Sequence, residues 1–106
     1  MVEFEGVKFE FDVTDADTFD AISEFEKNWK AALDKLKAAP SGDAIREING
    51  CIKELLDRSC EGDVHGDIFK GRASLAKTTK LWHVISEEIK RQSAEMKQLI
   101  SEVGID

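Results

Sequence analysis

Residues Ser74 to Val103 read SLAKTTKLWHVISEEIKRQSAEMKQLISEV, with no proline or glycine in the run. Leu75, Thr78, Trp82, Ile85, Ile89, Gln92, Met96, Leu99 and Val103 fall at alternating steps of three and four. That spacing sets them along one stripe of a single helix. Gly104 follows at the place of a helix C-terminal glycine, and Ser74 precedes as an N-cap. At 1.5 Å per residue the helix would be roughly 45 Å long, more than a compact chain of this size needs. Its stripe must be covered by the upstream helices, by a second copy of the chain, or by both.

Working outward, Glu61 to Ala73 is the least regular stretch, with Gly62, Gly66 and Gly71, and Ile68 and Phe69 as its large apolar anchors. It is predicted as a loop with about one helical turn. Upstream, Ile45, Ile48, Ile52 and Leu55, flanked by Cys51 and Leu56, form the stripe of a helix capped by Ser41 or Asp43. Gly50 lies inside that helix, where it costs about 1 kcal/mol against alanine; close packing against another backbone is expected there. A further helix carries Ile22, Phe25, Trp29, Ala32, Leu33 and Leu36, starts at Asp15 or Asp17 and ends before Pro40.

The first residues keep a different period. Val2, Phe4, Val7, Phe9, Phe11 and Val13 alternate with charged residues, and the phase slips at Glu5-Gly6. A two-residue turn there pairs Phe4 with Val7, Glu3 with Lys8 and Val2 with Phe9, a hairpin with one apolar face. Two strands are marginal alone and must lie on the helices. The expected fold is therefore α+β and mostly helical. One domain spans residues 1–106, with a hairpin over 1–14 followed by a three-helix bundle over 15–106 that ends in the long helix.

Net charge is −7 at 35% charged residues, which argues against a general phosphate-backbone binder. Residues 1–26 hold nine acids and only Lys8 as a base, whereas Ile68 to Ser86 holds no acid but Lys70, Arg72, Lys77 and Lys80. The two regions can meet within the fold or head to tail between copies. No window has the apolar length of a membrane span and the N-terminus lacks a signal-like core, so a cytoplasmic location is expected.

Candidate chemistry is thin. Gly66 to Ser74, GDIFKGRAS, echoes a phosphate-binding loop, but arginine replaces the required lysine, alanine the metal-binding hydroxyl, and no parallel strand precedes it. Cys51, Cys60, His65 and His83 lack zinc-site spacing, and buried thiols are the expected state of the cysteines. Asp12 to Asp20 lacks the glycine and closing glutamate of a calcium loop. The expectation is a protein that is not an enzyme, with no catalytic residue, metal or cofactor. Ile68, Phe69, Leu81, Trp82, Ile89 and Met96, on the terminal helix and the elbow before it, are the candidate partner-binding residues.

Two stretches carry a family resemblance: VKFEFDVTDADTFD (Val7 to Asp20), a hairpin running into an acidic helix start, and IFKGRASL (Ile68 to Leu75), a glycine-bearing elbow into the terminal helix. In this order they resemble small proteins from the tail-assembly region of phages and prophages of Gram-positive bacteria, a group similar to the tail-assembly chaperones. Those proteins coat the tape-measure protein while the tail tube polymerises around it. The resemblance implies a homo-oligomer in the bacterial host cytoplasm that binds a helical structural partner, the tape-measure protein, and needs no cofactor, nucleic acid or membrane. The alternative expectation is a small acidic adaptor or inhibitor that presents its acidic end to a basic protein.

Overall fold

The computed structural model describes residues 1–104; the last two residues of the expected helical portion lie outside the described residues. Strands β1 (Val2–Phe4) and β2 (Val7–Phe9) form an antiparallel hairpin. Helices α1 (Ala16–Ala38), α2 (Gly42–Ser59), α3 (Val64–Phe69) and α4 (Leu75–Val103) follow. The fold is thus the expected one, with the elbow turn formed as the short helix α3.

The hairpin has the register the alternation requires: Val2 opposite Phe9, Glu3 opposite Lys8, Phe4 opposite Val7. Glu5 and Gly6 both take positive φ, 48° and 81°, the mark of a type I′ turn whose twist matches the strands. Strand pairing ends with Val2 opposite Phe9. Phe11 and Val13 nonetheless continue the buried face. Their backbone is partnered by a side chain: Gln92 on α4 accepts a hydrogen bond from the Val13 N–H (2.9 Å) and donates one to the Phe11 carbonyl (2.5 Å). One primary amide thereby takes the place of a third strand.

Each helix begins on a side-chain cap. Asp15 accepts from the Thr18 amide, Ser41 from Ala44, Asp63 from Gly66 and Ser74 from Lys77. Helix α1 closes at Ala39, where Pro40 forbids continuation. Gly104 caps α4 in a right-handed conformation, so it uses none of glycine's extra freedom. Gly50 departs from expectation: it is exposed, and a Cβ built there meets no atom within 4 Å. No backbone packs on it.

The core is continuous from the hairpin to α4. Val2, Phe9, Phe11 and Val13 pack with Ile48, Ile52, Leu55 and Leu56 of α2, Ile68 and Phe69 of α3, and Leu81 and Ile85 of α4. Phe25 and Trp29 of α1 meet Trp82 of α4, with ring centroids 4.5 to 5.8 Å apart, a geometry in which aromatic rings attract. A buried polar chain crosses the same layer. Thr78 donates to the Ser74 carbonyl, so its oxygen must accept from the Asn49 amide (2.9 Å). The Asn49 carbonyl then faces His65 Nε2 at 2.8 Å, which fixes the proton on that nitrogen. The molecule measures 54 × 30 × 19 Å, and α4 is the reason for the long axis.

Candidate functional site

At about 43 Å, α4 outruns the elements that cover it. From Leu75 to Gln92 its stripe is met by α1, α2, α3 and the hairpin, and Thr78, Leu81, Ile85 and Gln92 are buried. Beyond Gln92 the cover stops. Leu99 is 46% exposed, Ile100 60% and Val103 87%. Met96, half-buried, Leu99, Ile100, Val103 and Gly104 join Thr14 around an open, almost wholly apolar trough of about 390 Å³. Single exposed apolar residues are ordinary on a protein surface, but a contiguous apolar recess is the mark of an interaction site.

The placement corrects most of the residues predicted to bind a partner. Ile68, Phe69 and Leu81 are core residues and are not available to a partner. Helix α2 and the hairpin cover the apolar stripe of the N-terminal half of α4. Trp82 is half-buried in the aromatic cluster, and Ile89 is half-buried against the core. Of the six, Met96 lines the exposed trough. Leu99 and Val103 belong to the same sequence stripe but were not singled out, and Ile100, four residues after Met96, widens it. Their signal was that no upstream element is long enough to reach them.

The trough has an acidic border. Thr14 stands between Asp12, whose carboxylate accepts from both the Thr14 amide (2.9 Å) and its hydroxyl (2.6 Å), and the cap residue Asp15. These two bonds hold the Asp12 carboxyl below its ordinary pKa. Along α4, Glu88, Glu95 and Glu102 recur every seven residues on one flank of the stripe. Arg91 bridges Glu88 (2.6 Å) and Glu95 (2.8 Å), and with Gln92 it lowers the Glu88 pKa to about 2.

Elsewhere the chemistry is quiet. A recess of about 480 Å³ between the hairpin and the end of α2 holds Cys60. Its thiol donates to the Glu10 carbonyl (3.1 Å), and burial pushes its pKa up to about 11. Burial thus disfavours the thiolate, the nucleophilic form of the side chain. Cys51 is buried and likewise raised by burial. A cleft of about 450 Å³ near His65 is lined by Arg46, Lys53 and Arg72, but Asp43 and Asp57 pair the first two, and Asp63 lines the cleft itself. Among the described residues no three His, Cys, Asp or Glu side chains gather where a metal could bind. No helix of the described chain is long and apolar enough to cross a membrane. The acidic start and the basic elbow do meet within the chain, through Glu5 and Lys77 at 3.7 Å.

A family model matches residues 5–103, nearly the whole of the described fold and both halves of α4. The chain belongs to the family of unknown function DUF6673. No curated protein and no solved structure gave a significant match. The DUF6673 match takes in β2, all four helices and the overhanging turns of α4, and it assigns no activity.

Proposed function

We propose that this DUF6673 protein is a non-enzymatic assembly factor of the tail-assembly chaperone kind, working in the cytoplasm of a bacterial host and holding a helical structural partner. In that setting the partner is the tape-measure protein. One observation carries the reading: the bundle is complete without the last three turns of α4, yet those turns present an apolar trough. A helix whose apolar stripe continues past its own core is built to receive another element. The residues for the task are Met96, Leu99, Ile100 and Val103, with Trp82 and Ile89 supporting the helix from inside.

An elongated helical client offers successive binding places. Copies set side by side along it give the self-association that such a chaperone needs, while each trough stays on the client. The net charge of −7 keeps the loaded complex soluble. The acidic adaptor reading shares the acidic border but gives the apolar trough no role.

Co-expression with a tape-measure protein from the same genome tests the reading. The expected result is a soluble complex on a sizing column, lost when Ile100 is replaced by Asp. A tape-measure protein that stays equally soluble, or equally insoluble, with and without this chain contradicts it.

A further inference from the structure

The charge around the trough says what kind of helix fits it. From Glu10 to Asp20 the chain carries Glu10, Asp12, Asp15, Asp17 and Asp20 and no base, and Thr14 in the middle of this run forms one wall. The other wall is α4, where Glu95 and Glu102 flank the apolar stripe and Lys97 is the one base between Ser93 and Gly104. Arg91 offsets part of this flank between Glu88 and Glu95. Glu102 has no ion-pair partner within 4 Å among the described residues. The floor is apolar and its borders are predominantly negative.

The geometry points to a basic amphipathic helix as the occupant: a partner segment with apolar side chains at i, i+3 or i+4, and i+7, bordered by Lys or Arg. The apolar stripe would fill the recess over Met96, Leu99, Ile100 and Val103. Its cations would lie along Glu95 and Glu102 on one side and Asp12 and Asp15 on the other. Complementary border charge sets the choice and orientation of the partner, while the apolar floor supplies the holding. A second copy of this chain is a poor occupant. Pairing two such ends brings acidic borders together, and each copy carries −7. The inference rests on the assembly-factor reading only in assigning the trough to a protein client.

The test uses the full chain and two labelled helical peptides of one apolar pattern, bordered by lysines in one and glutamates in the other. Fluorescence anisotropy should show the lysine peptide binding at least about tenfold more tightly, with affinity falling about tenfold as salt rises toward 0.5 M. Ile100→Asp should reduce lysine-peptide binding by about tenfold or more, with unchanged far-ultraviolet circular dichroism because the residue is exposed. Glu95→Gln with Glu102→Gln should weaken the lysine peptide and flatten its salt dependence. Equal binding of both peptides, or full binding by Ile100→Asp, overturns the proposal. So does a free protein that runs as a dimer by light scattering and becomes monomeric on Ile100→Asp, since a second copy would then own the face. If the lysine peptide fails to bind while the tape-measure protein is still held, the partner chemistry is wrong and the assembly-factor reading stands.

Discussion

The two halves of α4 obey one sequence rule and meet two fates. Leu75 to Gln92 and Ser93 to Val103 share the alternating stripe of apolar residues, yet the first half is the spine of the core and the second lies open. The difference comes from what stands opposite. The first half faces α1, α2, α3 and the hairpin. Among the described residues, Thr14, just before α1, is what lines the trough of the second from outside the end of α4. Amphipathicity alone therefore tells that a helix has a partner, and the reach of neighbouring elements tells whether that partner is internal.

The comparison is broken most forcefully in the packed half. Leu81→Ala removes a fully buried side chain from the centre of the core and should cost about 2–5 kcal/mol, measured by urea unfolding. A loss well under 1 kcal/mol would mean that this half is no better packed than the other. At the junction, Gln92→Leu keeps the volume but strands the Val13 N–H and the Phe11 carbonyl. It should cost about 1–3 kcal/mol, because buried polar groups without partners forfeit their solvation.

A smaller effect follows from His65. Burial, aided by Lys53, lowers its pKa, so the unfolded chain takes up the proton more readily than the folded one. Its contribution to stability is complete above the unfolded value of about 6.5 and is lost as pH falls through and below it. Unfolding measured at about pH 7.5 and about pH 5.5 should show that decline, reduced in His65→Gln. Gly50→Ala should add about 0.5–1 kcal/mol, since α2 gains a better helix former and the new methyl group meets nothing within 4 Å. Smallest of all, Ile100→Asp in the open half should shift stability by no more than about 0.5 kcal/mol while removing client binding. Equal destabilisation by Ile100→Asp and Leu81→Ala would erase the distinction between the halves.

Much of the fold was legible because its signals are local. The hairpin register follows from the Glu5-Gly6 phase slip, and the helices from period and caps. What the sequence concealed depends on distance. Nothing local to Ile68, Phe69 or Leu81 tells whether α2 and the hairpin or a foreign helix covers them; long-range packing decided it. The buried pairing of Asn49 with Thr78 and His65 joins residues far apart in the chain and has no spacing motif. Gln92 lies on the stripe of α4, and its role as partner to the strand-like backbone of Phe11 to Val13 depends on residues about eighty positions away. Gly50 was credited with a packing role that the open space around it denies.

Amide hydrogen exchange across α4, with and without the lysine-bordered peptide, tests the central claim most directly. In the free protein, Thr78 to Gln92 should exchange slowly and Ser93 to Val103 at least about a hundredfold faster, because only the first half is locked by the core. Adding the peptide should slow the second half and leave the first unchanged. Uniformly slow exchange along the whole helix in the free monomer, or no slowing of Ser93 to Val103 on adding the peptide, would contradict the account.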